Sequence, residues 1–504
     1  MGNLNCIGPT SSSSYAAKQD LTIWSYEDPE HPHGHPVRKN ELVTVLETQG
    51  KWWKVEKDEI VGYASKYYFA KLGKRGHEKE PWYFGHMSRE DCHELLNHKA
   101  NPEGSYLVRY SGNAKQFVLG IRLFEMNQHR YYYKHFDVKE DNGKYFFVME
   151  KKFTSLSGLI NMATKNKEDG LPAKLTNICI IPNPHSDPKF VFASRGQDSW
   201  LVPLSELRFD KKTTLGEGEF GKVRKAKFRG TLDVAVKQLK VDSVNKERAR
   251  KLLDDFFAES ELMSKLNHPN LVQMFAYVVD SSKGNFMIQE FMAKGDLKNY
   301  LCQIKREKKE DSEGKFETLL QWCNQVALGM EHLERLHIVH RDLAARNVLL
   351  DEFNRAKVAD FGLALQDSDA SDINTKLPVK WTAPECLETG TRFSKWSDVW
   401  AFGILMWEVF TFGEMPYPGV KNSDYKSRLI EEYNEYLETR ERPHHTGRRQ
   451  RKVRLRCRSP GNRPGEEVQM KNMYNVMLSC WEIFPEDRSD FGSLREELTG
   501  YIYQ

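Results

Sequence analysis

Cysteine is scarce and scattered in this chain, with eight in 504 residues and no CxxC pair. That excludes a disulfide framework and a zinc ribbon, and it fits a reducing compartment. No apolar run reaches ~18 residues, so the sequence holds no candidate membrane-spanning helix. Charge of one sign is not in wide excess. The net charge is +4. Residues 440–463 hold nine Arg and one Lys against one Glu, a local +9, which leaves −5 on the rest of the chain. Such a block does not read as a nucleic-acid face. It reads as a solvated insertion or an error in the reading frame. A mass of 58.7 kDa predicts about three domains at roughly 100–200 residues each.

What is present is an ordered set of phosphoryl-transfer parts. His340-Arg341-Asp342-Leu343-Ala344-Ala345-Arg346-Asn347 precedes Asp360-Phe361-Gly362, a catalytic loop followed by a metal loop. Phosphoryl transfer needs positioning and charge more than covalent chemistry. A carboxylate (Asp342) must take the substrate hydroxyl, and an amide and a second carboxylate (Asn347, Asp360) must hold magnesium, or manganese, against ATP. Upstream, Leu215 and Gly216-Glu217-Gly218-Glu219-Phe220-Gly221-Lys222-Val223 form a glycine-rich loop whose amides can close over phosphates. Ala235-Val236-Lys237 has strand composition and offers Lys237 to the phosphates. Helical periodicity places Glu259 and Met263 on one face, with Glu259 the candidate partner of Lys237. Any one of these residues is more often an ordinary surface group. The full set in order is not.

These motifs resemble a non-receptor tyrosine kinase of the Src and Csk group, from Leu21 to Gln504. The resemblance implies a multidomain chain: a small β-barrel (Src homology 3), an α+β Src homology 2 domain and a bilobal α+β protein kinase domain. The expected boundaries are an acylated tether at 1–19, the barrel at 20–72, the second domain at 81–176, a linker at 177–207 and the kinase at 208–504. "HRDLAARN" is similar to tyrosine kinases and implies a catalytic role for Arg346. Pro378 and Trp381 would shape a shelf deep enough for a phenol. Ser397-Asp398-Val399-Trp400 resembles the large-lobe helix anchor, and Arg488 the arginine that pairs with Glu385. Gln289 falls at the gatekeeper, where a long amide should close the pocket behind adenine, and Met292 follows at the hinge.

In the barrel, Glu41 to Leu46 alternates as a strand. The resemblance implies a polyproline shelf of Tyr26, Trp52 and Tyr68, although Asp28 and Ser65 depart from the family's pattern. In the second domain, Gly104-Ser105-Tyr106-Leu107-Val108-Arg109 resembles a phosphotyrosine strand. A buried Arg109 would fork onto phosphate in a bidentate geometry lysine cannot copy. Arg89 and Ser111 would assist, and Arg130 is read as standing where the family has His. Gly2 and Cys6 resemble a myristoylation and palmitoylation pair, and two acyl chains hold a membrane firmly. Thr10 to Ser14 reads as flexible.

The discriminating absences resemble Csk. The segment between Asp360 and Glu385 contains no tyrosine; it offers Ser368, Ser371 and Thr375 among Asp367, Asp369 and Asp372. No tail tyrosine follows the final helix. The expectation is a cytoplasmic tyrosine kinase on the inner face of the plasma membrane, using ATP and phosphorylating the tail of Src-family kinases. Its second domain would bind phosphotyrosine proteins, proline-rich ligands would be uncertain partners, and no nucleic acid is expected. Two readings stay open beside it: a Src-like kinase without tail inhibition, and a phosphotyrosine-binding adaptor with a scaffold kinase domain.

Overall fold

The computed structural model describes residues 13–19, 21–23, 35–48, 52–58, 60–71, 76–98, 101–125, 130–148, 151–165, 171–181, 200–218, 221–230, 232–239, 246–280, 284–309, 314–366, 378–389, 393–440, 457, 459–460 and 465–502. Gly2, Cys6, Tyr26, Asp28, Ser368, Ser371 and Thr375 lie outside them, as does most of 440–463. The chain divides into two compact units, one of residues 1–267 with 273–291 and one of residues 268–272 with 292–504.

The first unit opens with β1 (Ser13–Ala17), β2 (Leu21–Ile23), β3 (His35–Val37), β4 (Leu42–Glu47), β5 (Trp52–Lys57), β6 (Ile60–Ser65) and β7 (Phe69–Lys71). Five of them form an antiparallel sheet in the order β6-β5-β4-β1-β7, and β2 pairs with β3. Alternation along β4 buries Val43 and Val45 and exposes Leu42 and Leu46. The expected tether is shorter than the sequence suggested. Ser13 and Ser14 belong to β1, paired with Val45 and Thr44. Serine composition says little here because β4 supplies the pairing partner for both serines, and β7 pairs with Tyr15 to Ala17 just after them. The shelf assignment of Tyr68 is also corrected. Its side chain is buried, the hydroxyl donates to the Ile181 carbonyl at 3.3 Å, and Arg229 Nη1 donates to it at 3.1 Å. A phenol so enclosed offers no open face to a ligand. Arg229 also donates through Nε to Glu206 at 2.8 Å and through Nη1 to the Ile181 carbonyl at 2.8 Å.

The middle of this unit holds β8 (Tyr83–His86), α1 (Arg89–Asn97), β9 (Tyr106–Ser111), β10 (Gln116–Glu125), β11 (Arg130–Asp141), β12 (Lys144–Phe146) and α2 (Leu156–Lys165). The sheet order is β12-β11-β10-β9-β8. Its two faces bury alternate residues. Val108, Leu119, Ile121 and Val138 pack with Leu156, Leu159 and Ile160 of α2, while Leu107 clusters with Cys92, Leu95 and Leu96 of α1. Ser88 caps α1 by accepting from the Asp91 amide at 2.9 Å.

The unit closes with β13 (Leu207–Gly218), β14 (Gly221–Phe228), β15 (Leu232–Leu239), α3 (Lys246–Lys265), β16 (Met274–Asp280) and β17 (Gly284–Glu290). These strands order as β13-β14-β15-β17-β16. Phe256, Glu259, Ser260 and Met263 recur at helical spacing and are all buried on α3.

The second unit is helical, with α4 (Leu297–Glu307), α5 (Phe316–Arg335), α6 (Pro384–Thr389), α7 (Lys395–Phe410), α8 (Asn422–Arg440), α9 (Glu467–Cys480) and α10 (Phe491–Ile502). Residues Ser397 to Phe410 of α7 are all buried, as expected of a helix apolar on every side. Arg488 grips Glu385 bidentately at 2.7 and 2.9 Å. Cys457, from the basic stretch, is buried, and its carbonyl accepts from the Tyr474 hydroxyl at 2.9 Å.

Candidate active site

In the first unit, β14 and β15 bring the glycine-rich turn beside Lys237. Gly216 opposes Val223, Gly218 opposes Gly221, and Val223 opposes Lys237. Ala235 lies on β15 opposite Gln289 of β17. Leu215 is exposed. Gly221 adopts φ +146, and a Cβ there would fall 1.9 Å from the Gln238 carbonyl oxygen. Only glycine lets β14 approach β15 so closely. Lys237 Nζ reaches both carboxylate oxygens of Glu259 at 2.9 Å. The pair anticipated from periodicity is formed. Gln289 Nε2 donates to the Met263 sulfur at 3.2 Å and the Met287 sulfur at 2.9 Å. It therefore ties β17 to the α3 face that carries Glu259.

In the second unit, a hairpin of 348–350 and 356–358 pairs Val348 with Val358. That register sets Asn347 beside Ala359, whose amide donates to the Asn347 carbonyl at 2.8 Å. Asp360 follows with φ 62, a left-handed conformation uncommon outside glycine and concentrated at functional sites. Asn347 Nδ2 donates to Asp342 at both its carbonyl and Oδ2, each at 2.7 Å. With Nδ2 so engaged, Oδ1 is the amide atom suited to a cation. Together with the Asp360 carboxylate it makes a hard-oxygen donor set that fits magnesium. Arg346 Nη2 hydrogen-bonds Asp342 Oδ1. Burial lifts the Asp342 carboxyl above the usual carboxylate range, against the pull of Arg346 and His340.

Two acidic groups on α7 hold this loop. Asp398 accepts from the amides of His340 at 2.7 Å and Arg341 at 2.9 Å, and Arg341 takes φ 69. Asp398 is buried, which pushes its pKa up to about 6 despite those partners. Glu408 was not singled out from sequence. Its Oε2 accepts from the Ala345 amide and the Trp381 indole, both at 2.9 Å. Burial raises its pKa too. Arg346 lies over the Trp381 ring at 4.8 Å, so the expected shelf residue, the loop and Asp342 are joined. Pro378 turns the chain there, its carbonyl accepting from the Trp381 amide at 2.9 Å. Met292 is buried with Val272, Ala359 and Leu349.

The candidate phosphotyrosine pocket is in the first unit. Arg109 is 6% exposed. Its Nη1 donates to the Met87 carbonyl at 3.0 Å, and its Nε has no hydrogen-bond partner among the described residues. Arg89 opens α1 at an exposed position, and Ser111 Oγ accepts from the Ala114 amide at 3.3 Å. The reading of Arg130 is corrected. It starts β11 beside Glu125 at 3.3 Å, and alternation puts it on the opposite face from Arg109. His135 is the histidine on the Arg109 face.

A family model for protein tyrosine and serine/threonine kinases matches residues 209–498. An SH2 domain model matches residues 82–162. Tyrosine-protein kinase FRK of Homo sapiens is 33% identical over 488 residues, covering 92% of this chain and 85% of that protein. Tyrosine-protein kinase Src64B of Drosophila melanogaster is 32% identical over 481 residues, covering 94% and 78%. Tyrosine-protein kinase Btk of the same fly is 36% identical over 470 residues, but these span only 53% of its length. A kinase domain uses ATP and a divalent metal, and the relatives make this chain an enzyme, against the scaffold reading. The chain belongs to the non-receptor protein-tyrosine kinases that carry an SH2 domain.

Proposed function

We propose that this tyrosine kinase is Csk-like and phosphorylates the C-terminal tail tyrosine of Src-family kinases. The observation that carries the reading is the segment between Asp360 and Glu385, which has no tyrosine to phosphorylate. Kinases switched on there give the arginine of the catalytic loop an anionic partner. Here the Arg341 guanidinium lies 4.4 Å from the Phe393 ring centroid, a cation–π contact that can hold the loop without phosphate. The formed Lys237–Glu259 pair supports activity in the unphosphorylated chain.

In the proposed reaction Asp342 accepts the phenolic proton, and its raised pKa favours that step. Arg346 and Asn347 orient Asp342. Trp381 and Pro378 carry the substrate ring. Lys237, held by Glu259, binds ATP phosphates, and Leu215, Val223, Ala235 and Met292 contact the nucleotide. Asn347 and Asp360 would hold magnesium or manganese, which when bound neutralises phosphate charge. Arg109, Arg89 and Ser111 bind phosphotyrosine. The N-terminal strands are read as a Src homology 3 barrel, and Gly2 and Cys6 as an acylation pair for the inner membrane face.

The test is a kinase assay on a catalytically dead Src-family kinase with the phosphorylated tyrosine mapped by mass spectrometry. Phosphate on the tail tyrosine alone is expected. Phosphate on the activation loop or at scattered sites would replace this reading with a Src-like kinase without tail inhibition.

A further inference from the structure

Two histidines meet over the sheet face that carries Arg109. Val118 opposes both Arg109 and Asp137, and Gly120 opposes His135. Directly opposed residues share a face, so Arg109, Gly120, Tyr133 and His135 all point toward α1. From α1, His93 meets the His135 ring with centroids 4.9 Å apart and an interplanar angle of 24°, and the Tyr133 ring, tilted by 32°, at 5.0 Å. Gly120 makes room, since a Cβ there would lie 2.7 Å from Cys92 Sγ and 3.7 Å from His135 Cε1.

The two Nε2 atoms are 2.7 Å apart. One must be an N–H and the other a lone pair. Two imidazolium rings cannot make this contact, so the pair holds at most one positive charge. His135 Nδ1 is buried with no hydrogen-bond partner among the described residues. The charged groups acting on the pair are Arg89 and Glu90 of α1, Arg109 of β9 and Asp137 of β11. Burial, with the two guanidinium groups, holds His93 below the usual histidine range, and burial, then His93 itself, then the same guanidinium groups bring His135 down to about 4. The pair is therefore neutral beside a buried arginine whose Nε has no hydrogen-bond partner among the described residues.

We propose that His93 and His135 are a proton-accepting wall of a phosphomonoester site. A doubly charged phosphate on Arg109 cancels the guanidinium field, and the pair takes one proton from solvent. The resulting imidazolium is a further cation beside the dianion, shared across the short contact. This rests on the phosphotyrosine reading of the Arg109 pocket.

The experiment titrates the full chain with phenyl phosphate by calorimetry at pH 7.5 in buffers of different ionisation heat. The ligand, whose second pKa is about 6, is already a dianion there. Uptake approaching one proton per phosphate is expected, with affinity falling by up to tenfold per pH unit above neutrality. The double variant His93→Gln/His135→Asn should still bind, more weakly and with uptake abolished. Nitrogen-15 resonances of histidine rings in the unmutated chain should show one ring becoming protonated on binding, which needs no variant to fold. Binding that depends on Arg109 but carries no proton uptake overturns the inference and leaves the phosphotyrosine reading standing. Equal uptake with singly charged phenyl sulfate overturns it as well. If phenyl phosphate does not bind, or binds equally to Arg109→Lys, the phosphotyrosine reading falls and the inference with it.

Discussion

Asp398→Asn separates the charge that anchors the catalytic loop from its shape. The wild-type carboxylate uses one oxygen for the His340 amide and the other for the Arg341 amide. Asparagine has a single acceptor oxygen, so one buried N–H faces an amide N–H instead. Losing a hydrogen bond to a charged group costs about 1.5–3 kcal/mol. Against this, burial has raised the wild-type pKa from 3.8 to about 6, so holding Asp398 ionised at pH 7 costs about 3 kcal/mol. The two nearly cancel, and the melting temperature at pH 7 should move by only a few degrees.

Activity should not cancel. Arg341 holds φ 69 in that grip, and a misplaced Asp342 should lower kcat by about 100-fold. The pH dependence gives the sharper check. The folded pKa lies above the unfolded one, so this group adds stability as pH falls through 6 toward 3.8 and loses it as pH rises. Wild type should therefore gain up to about 3 kcal/mol over the variant on acidification, while its own kcat declines below pH 6. Thermal melts and kcat from pH 4.5 to 8 measure both. Wild-type kcat in the variant, or parallel stability curves, would refute the anchoring argument.

Four further outcomes are expected. Glu408→Ala orphans the Ala345 amide and the Trp381 indole and should destabilise by about 2–6 kcal/mol in denaturant melts, at about 1–3 kcal/mol each. Glu408→Gln keeps one acceptor oxygen and should stay close to wild type. Arg229→Ala takes the guanidinium from buried Glu206 and should cost about 3–5 kcal/mol, against about 1 kcal/mol for Tyr68→Phe; limited proteolysis of the first unit reads the difference. Gly221→Ala forces a Cβ against the Gln238 carbonyl and should raise the KM for ATP several-fold by pushing back the strand that carries Lys237. Gln289→Thr removes the amide held by Met263 and Met287 and should admit inhibitors that need space behind adenine; unchanged affinity would count against the gatekeeper assignment.

Residues that act within one stretch of chain were legible in advance. Asp342, Arg346 and Asn347 share one loop, and their mutual hydrogen bonds follow from that closeness. Glu259 and Met263 were legible because helical spacing is a local property. The glycine-rich turn announced itself by composition.

Tertiary structure decided what distant segments do to one another. Asp398 and Glu408 reach the catalytic loop from α7, far along the chain; the motif around Asp398 marked a helix anchor but not the amides it holds, and nothing local marked Glu408. The histidine of the Arg109 pocket depended on strand register. The choice of His135 over Arg130 reverses the face, because side chains alternate with period two. Ser13 and Ser14 become strand only because β4 pairs with them, and Tyr68 loses its open face only because Arg229 and the Ile181 carbonyl close over it. Local pattern determined the chemistry this chain carries. The pairing of remote backbone and buried charge determined how that chemistry is held.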